Sequence, residues 1–211
     1  MGISDEDLKG SEARLWHLIA ARTRAGADTK VIDARIWDLF GEDWAVMFTD
    51  LSGFSRQVAA FGIIHFLQII HEQKEILLPV VADHDGILIK IEADSLLILF
   101  KKARRALECA VAMQHACQKL SARRVPEEQV LLCVGIGSGR ILRIGDTDCY
   151  GAEVNAASKL GEDTAKANEI LITGDARDQI GDIQGIAFET IDATIPGTDR
   201  AFRAKYEIFK P

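Results

Sequence analysis

One segment decides how this chain of 211 residues folds, and it reads Gly86-Ile87-Leu88-Ile89-Lys90-Ile91-Glu92-Ala93-Asp94-Ser95-Leu96-Leu97-Ile98-Leu99-Phe100. Two apolar runs of strand length flank the short polar connection from Glu92 to Asp94. Paired runs of this kind, joined by so few residues, are typical of a β-hairpin. The pattern therefore predicts two antiparallel strands, with Asp94 at the turn between them.

Strand-like and helix-like segments alternate on both sides of this hairpin. Before it, Trp44–Phe48 is an apolar run of strand length, and residues 56–83 have helical spacing with a break expected near Gly62. After it, residues 102–120 form an amphipathic helical pattern, and residues 130–136 form a buried strand pattern. The order β-α-β-β-α-β predicts a ferredoxin-like α/β (α+β) sandwich.

Further elements are expected beyond this core. After a bend at Gly137–Gly139 come a strand over 140–145, a helix over 154–160 and a strand over 169–173, and the C-terminal tail adds a closing edge strand. The buried face of the long helix is expected to consist of Ile64, Leu67, Ile70, Ile76, Leu77 and Val81.

The N-terminal arm has its own helical pattern over residues 11–40, with a break suggested by Gly26 and Asp28. We expect a helical extension over residues 1–43 and one main domain over residues 44–211. The arm carries two tryptophans and a phenylalanine, which need burial. They can pack on the main domain or form a dimer contact, and the sequence does not decide between the two.

Bulk properties exclude several classes of protein. A hydrophobic content of 48% supplies a full core, and the net charge of −7 argues against a general nucleic-acid or anionic-membrane surface. No apolar run approaches the length of a membrane span, and the acidic start Met1–Asp7 lacks the apolar stretch of a signal peptide. The four cysteines form no C-x-x-C pair, so we expect reduced, buried thiols in a cytoplasmic protein.

Three short segments carry the chemistry. They are Phe48–Phe54 (FTDLSGF), Lys90–Asp94 (KIEAD) and Asp148–Lys159 (DCYGAEVNAASK). The first two each deliver one acid to the end of a predicted strand. Hard carboxylate oxygens suit Mg²⁺ or Mn²⁺, and the amides of a glycine-containing turn can cradle phosphate oxygens.

Together these segments resemble the catalytic domain of class III adenylate/guanylate cyclases, from about residue 44 to residue 173. The family pattern is F-x-D-x-x-G-F, then K-x-x-x-D in a hairpin, then D-x-x-G-x-x-V-N-x-A-x-R opening a helix. Residue types and intervals agree in all three segments, apart from Lys159 at the position of the last arginine. Agreement in three separate places is a far stronger signal than any one of them.

The resemblance implies a role for each matching residue. Two metal ions, Mg²⁺ or Mn²⁺, are expected at Asp50, Asp94 and Leu51, and the turn residues Ser52, Gly53 and Phe54 are expected at the phosphates. Lys90 and Asp148 would recognise the base, and this pair implies adenine. Asn155 would orient the ribose, and Lys159 would stabilise the transition state. In the family these two sets serve one site from opposite subunits, which implies a homodimer with two composite sites.

The reaction implied is conversion of ATP to cyclic AMP and pyrophosphate by attack of the ribose 3′ oxygen on the α-phosphorus. Two alternatives stay open: a pyrimidine cyclase that acts on UTP or CTP in antiphage signalling, and an inactive module that binds nucleotide. A diguanylate cyclase is disfavoured because no G-G-[DE]-E-F segment occurs.

The departures from the family pattern raise questions of their own. Lysine keeps the charge of the expected arginine but loses its planar fork. Other basic residues are therefore candidates to compensate, namely Arg140, Arg143, Arg200, Arg203 and Lys205. Glu92 is either a third acid near the metals or a solvated hairpin charge, and Ala93 stands where the family commonly has glycine.

Overall fold

The structure, a computed structural model, describes residues 9–208, except for the side chains of residues 54–57. The acidic start Met1–Asp7 and the end of the C-terminal tail, residues 209–211, lie outside the described residues. Within residues 9–208 the helices are α1 (Glu12–Arg22), α2 (Thr29–Phe40), α3 (Phe54–Phe61), α4 (Ile63–Asp83), α5 (Ala103–Ser121), α6 (Ala152–Ser158) and α7 (Gly174–Ile180). The strands are β1 (Gly41–Leu51), β2 (Ile87–Glu92), β3 (Ser95–Phe100), β4 (Leu132–Ile144), β5 (Asp148–Tyr150), β6 (Ile170–Thr173), β7 (Ala187–Thr190) and β8 (Ala201–Lys205). A 3₁₀ turn covers Pro126–Glu128, and a π-helix covers Lys159–Thr164.

All eight strands form one sheet, with the order β2-β3-β1-β4-β6-β8-β7 and with β5 paired to β4. The strands β2, β3, β1 and β4 pair with one another in antiparallel fashion, whereas β4 and β6 pair in parallel. The elements β1-α4-β2-β3-α5-β4 are the predicted β-α-β-β-α-β unit, so the ferredoxin-like core is confirmed. The predicted hairpin is β2–β3, with Asp94 in its turn.

Helices α4 and α5 cover one face of the sheet and bury the main core against it. The predicted face of α4 is wrong at two positions, because Ile64 is 76% exposed and Leu67 is 51% exposed. Gly62 breaks the helical stretch as expected, and α4 starts afresh behind it. Its inward face is then set by Phe66, whose side chain is fully buried, and by residues one and two turns further on.

The opposite face of the sheet packs against α6. Trp44, Leu99 and Ile141 meet Val154 there. Helix and sheet approach so closely that a Cβ atom on Gly135 of β4 would lie 2.1 Å from the backbone oxygen of Ala157. Only a glycine allows this distance. The height of α6 above β4 is therefore fixed by backbone contact.

Two predicted strand boundaries are wrong. The bend expected at Gly137–Gly139 does not form, because these residues pair in register with Trp44–Val46 of β1 and make β4 one continuous strand. The tail strand β8 is not an edge, because β7 pairs on its outer side. The apolar run used for prediction also marks only the middle of β1, which begins at Gly41.

The N-terminal arm packs on its own chain. Helices α1 and α2 bury Leu15, Leu18 and Phe40 against Ile144 of β4. The two tryptophans of the arm are not buried with them, since Trp16 is 52% exposed and Trp37 is 37% exposed. The leucines and the phenylalanine supply the apolar contact in their place. Division of the chain at residue 43 stays a prediction.

A buried carboxyl group joins α6 to the sheet. Glu153 is 7% exposed, and its Oε2 accepts hydrogen bonds from the backbone N–H of Ser138 at 2.7 Å and from the Thr173 hydroxyl at 2.8 Å. Burial raises the pKa of Glu153 above its ordinary value of 4.5, although the two donors act in the opposite direction. The folded state therefore keeps a proton on Glu153 at pH values where the unfolded chain has lost it.

This proton makes stability depend on pH. As the pH rises above 4.5, the folded chain has to give up the Glu153 proton, so its free energy of unfolding should fall. In Glu153→Gln the amide oxygen still accepts both hydrogen bonds but carries no charge. We expect urea unfolding at several pH values to show that the variant gains stability relative to wild type as the pH rises. A constant difference between the two proteins would contradict the assignment.

Candidate active site

The two aspartates of the first two motifs lie together, as the pairing of β1 with β3 requires. Asp50 is the last but one residue of β1, and Asp94 stands in the turn that leads into β3. The register sets Thr49 opposite Leu96, so the end of β1 reaches the hairpin turn. The Ser95 hydroxyl donates to Asp50 Oδ1 at 3.3 Å and links the two segments.

Buried polar groups hold the hairpin turn in place. Gln73 Nε2 on α4 donates to the backbone oxygen of Asp94 at 2.9 Å, and Thr49 Oγ1 accepts from the Leu96 N–H at 3.3 Å. Ala93 has a φ of 51°, in the left-handed region that glycine adopts without strain. A non-glycine residue there costs about 1–2 kcal/mol. The family preference for glycine thus has a backbone cause, and this chain accepts the strain.

The charges of these aspartates oppose one another. Burial, followed by the neighbouring charge of Asp94, raises the pKa of Asp50 to about 7, and the Leu51 N–H acts in the opposite direction by donating to the Asp50 carboxylate. Two oxygen ligands that repel each other at neutral pH are a suitable site for a divalent cation. Among the described residues no group of three or more His, Cys, Asp or Glu side chains is arranged to hold a metal. The remaining ligands would therefore have to come from water, the backbone or a bound nucleotide.

The turn after β1 opens helix α3. Gly53 has a φ of 92° and precedes the first residue of α3, so the amides of the first helical turn lie at this point. The Ser52 N–H is already used, since it donates to the Leu131 oxygen at 2.9 Å. The Phe54 side chain lies outside the description. The phosphate contacts predicted for Ser52, Gly53 and Phe54 stay predictions, with the Ser52 N–H not available for them.

The two residues predicted to recognise the base meet in a pocket. Lys90 Nζ donates to Asp148 Oδ2 at 2.8 Å, across 58 positions of sequence, and this contact raises the pKa of Lys90. A cavity of about 110 Å³ opens beside the pair on the face of the sheet that carries α6. It is lined by Phe48, Lys90, Glu92, Ser95, Leu97, Asp148, Cys149, Val154 and Glu162.

Two further groups lie beside the Lys90–Asp148 pair, and one of them, Glu92, lines the pocket. Glu92 Oε1 lies 3.4 Å from Lys90 Nζ. The Tyr150 hydroxyl lies 3.4 Å from Asp148 Oδ2 and donates to it. The alternation of side chains along a strand brings Lys90 and Glu92 to one face, so the position of Glu92 could have been inferred from the sequence.

The ribose and transition-state candidates face away from this pocket. Asn155 is exposed, and its Nδ2 donates to the Pro196 oxygen at 3.2 Å. Lys159 stands one turn further and pairs with Asp163 at 2.7 Å. Among the hydrogen bonds and ion pairs of residues 9–208, none connects either residue to the aspartates or to Lys90. Within one chain, the residues predicted for the ribose and the transition state are therefore not joined to those predicted for the metals and the base.

A third acid near Asp50 was missed by the sequence analysis. Glu162 lines the pocket and contributes to the raised pKa of Asp50, and its Oε2 accepts from the Ser158 hydroxyl at 2.5 Å. It comes into position through the π-helix that follows α6. A π turn has no clear sequence signal, and Glu162 appears in the sequence as one more polar residue at the end of a helix.

The residues considered as substitutes for the missing arginine are engaged elsewhere. Among their polar partners are Trp37 for Arg140, Asp146 for Arg143, Asp178 for Arg200, Glu169 for Arg203 and Glu189 for Lys205. The four cysteines are free and buried, as expected. None of the described helices combines the length and the apolar character needed to cross a membrane.

Comparison with known proteins identifies the family of this chain. Residues 41–198, which are most of the chain, match the family model of the adenylate and guanylate cyclase catalytic domain. The chain belongs to this family. A curated relative, "Putative adenylate cyclase 3" of Rhizobium meliloti (strain 1021), is 32% identical over 117 residues. That match covers 55% of this chain and 20% of the relative, so the chain spans about a fifth of that protein's length.

Solved structures of cyclases share the fold. The adenylate/guanylate cyclase/hydrolase from Silicibacter pomeroyi superposes with a TM-score of 0.67 at 22% identity, over 77% of this chain and 96% of its own. The adenylyl cyclase CyaB from P. aeruginosa gives a TM-score of 0.67 at 20% identity, over 79% and 95% of the two chains. The α/β class and the ferredoxin-like core therefore agree with known cyclase structures.

The repulsion between Asp50 and Asp94 leads to a stability prediction. Asp50→Asn keeps the shape of the side chain and removes one of the opposing charges. In EDTA at pH 8, the variant should melt about 2–4 °C above wild type, the shift that one kcal/mol gives in a chain of this size. Added Mn²⁺ should raise the melting temperature of wild type and leave that of the variant unchanged.

Asp43→Asn is the matched control, because Asp43 is an exposed aspartate on the same strand. It should respond to EDTA and Mn²⁺ as wild type does. A variant Asp50→Asn that melts below wild type in EDTA, or that gains as much from Mn²⁺, would remove the assignment of a cation to this pair.

Proposed function

We propose that this chain converts ATP to 3′,5′-cyclic AMP and pyrophosphate, as one half of a homodimeric adenylate cyclase. Family membership leaves the base open, because the family joins adenylate and guanylate cyclases. The observation that carries the proposal is the contact between Lys90 and Asp148 beside the cavity. Lys90 belongs to the same hairpin that brings Asp94 to Asp50. A base-reading pair and a cation-binding pair are thus adjacent.

Adenine is the base that suits this pair. Its N1 accepts a hydrogen bond and its N6 amino group donates one, while Lys90 can only donate and the Asp148 carboxylate can only accept. Guanine reverses both positions, with a donor at N1 and an acceptor at O6. Guanine would thus set donor against donor and acceptor against acceptor, and each buried polar group left unpaired costs about 1–3 kcal/mol.

The aspartates would hold the divalent ions. Asp50 and Asp94 offer hard oxygen atoms that suit two Mg²⁺ or Mn²⁺ ions, with Leu51 contributing from the backbone. Such ions supply a lowered pKa for the 3′ hydroxyl and neutralisation of the leaving pyrophosphate. Gly53 and the first amides of α3 are then placed to bind phosphate oxygens.

The second half of each site would come from a partner subunit. Asn155 on α6 is exposed, and Lys159, the first residue of the π-helix that follows α6, is half-buried, so both are available to a second copy of the chain. Asn155 would orient the ribose, and Lys159 would supply positive charge at the α-phosphate, where charge accumulates. Lys159 must leave Asp163 to do so, which is a small cost because exposed ion pairs contribute little.

The remaining alternatives rank lower. A pyrimidine cyclase acting on UTP or CTP is favoured only by lysine in place of arginine at position 159. An inactive nucleotide-binding module is disfavoured, because both aspartates are present and adjacent. The buried, free cysteines support a reducing compartment, and we propose the cytoplasm.

The base preference can be tested directly. Purified protein incubated with Mn²⁺ and each of the four nucleoside triphosphates should cyclise ATP with the highest kcat/KM. Asp148→Ala leaves the adenine amino group without an acceptor, so the ratio of kcat/KM for ATP over GTP should fall by about tenfold. Product analysis by chromatography measures both. Preference for UTP or CTP in wild type would place the pyrimidine alternative first.

Shared sites can be tested by complementation. Asp50→Ala and Asn155→Ala should each be inactive, and a mixture should regain activity because one site of the heterodimer contains neither lesion. With equal amounts and random pairing, about a quarter of wild-type activity should return. Failure to regain activity, with subunit exchange demonstrated by mass spectrometry, would indicate a site within one chain.

A further inference from the structure

Lys90 is held between two carboxylates, and the base-recognition pair does not account for the second. Its Nζ lies 2.8 Å from Asp148 Oδ2 and 3.4 Å from Glu92 Oε1. Lys90 and Glu92 are two residues apart on β2, so their side chains lie on the same face of the strand. Asp148 comes from β5, and all three line the same cavity. The pocket thus presents a row of three charged groups.

The order of this row carries chemical information. A carboxylate can only accept hydrogen bonds, and a lysine ammonium can only donate them. The row therefore presents acceptor, donor and acceptor. The Watson–Crick edge of cytosine presents donor, acceptor and acceptor, and that of adenine presents donor, acceptor and a C–H group. Both bases satisfy Asp148 and Lys90, and they differ only at the third position, where Glu92 lies.

We propose that Glu92 is a specificity-determining residue, which rejects the O2 acceptor of cytosine and accepts an amino group at position 2 of a purine. This inference rests on the proposed reading of the base by Lys90 and Asp148. The base that satisfies the whole row is 2,6-diaminopurine, whose edge presents donor, acceptor and donor. Adenine leaves Glu92 facing a C–H group, where its side chain stays in contact with water.

The size of the effect follows from exposure. The Glu92 side chain is 72% exposed and the Lys90 side chain is 36% exposed, so water competes for the contact. A fully closed contact to a polar group discriminates by far more than an apolar one. With water present, we expect a discrimination of about three- to tenfold at the third position.

The experiment compares ATP, CTP and the triphosphate of 2,6-diaminopurine riboside in wild type, Glu92→Gln and Glu92→Ala. In wild type, kcat/KM for the diaminopurine nucleotide should exceed that for ATP by about three- to tenfold. Glu92→Ala should bring this ratio to about one. Glu92→Gln should keep the diaminopurine preference, since its oxygen still accepts, and should raise CTP relative to ATP, since its amide also donates to O2.

Glu75→Gln is the matched control, because Glu75 is an exposed glutamate on α4 and does not line the pocket. It should leave both ratios at their wild-type values. The same ratios are measured as dissociation constants by calorimetry, so that Glu92 is tested even in the absence of turnover. Equal ratios in wild type and Glu92→Ala, or a CTP ratio unmoved in Glu92→Gln, would overturn the role of Glu92. If ATP is still cyclised, the proposed function survives that result, whereas its own failure appears as absent ATP turnover in wild type.

Discussion

The carboxylates of Asp50 and Asp94 repel each other, and strand pairing and buried hydrogen bonds hold them side by side. Asp50 is fixed by the pairing of β1 between β3 and β4, and Asp94 by a turn that Gln73 and Thr49 hold from below. Burial, followed by the neighbouring charge of Asp94, raises the pKa of Asp50 to about 7. A sheet interior can carry this cost because its stability comes from the packing of α4 and α5 on the other face.

The remainder of the candidate site follows from the same hairpin. Because β2 and β3 bring Asp94 to β1, they also place Lys90 near the same end of the sheet, where β5 delivers Asp148. The proposed cation binding and the proposed base reading would thus depend on one register. A slip of one residue would turn Lys90 and Glu92 to the other face and separate all four groups. The function proposed here requires that register more than it requires any single contact.

Much of this could be predicted from the sequence, and what failed did so for physical reasons. The hairpin and the break at Gly62 follow from the apolar runs and the glycine, and the joining of Lys90 with Asp148 from the family resemblance. At the start of α4 the prediction failed for Ile64 and Leu67, because Phe66 is the residue of this first turn that is buried against the sheet. Burial of Trp16 and Trp37 was expected from their size, but smaller apolar residues fill the contact with β4. Glu162 could not be predicted, since a π turn shifts the face that a helical residue occupies.

The close approach of α6 to β4 limits how this protein can vary. At Gly135 the backbone of the helix occupies the space that any side chain would need. Main-chain contact, and not side-chain size, therefore sets the distance between the sheet and the helical segment that contains Asn155 and Lys159. Surface positions of α6 can change their chemistry without altering where the helix lies. Position 135, on the sheet side of that contact, accepts only glycine. Substitutions should therefore be tolerated at the surface positions of α6 and not at position 135.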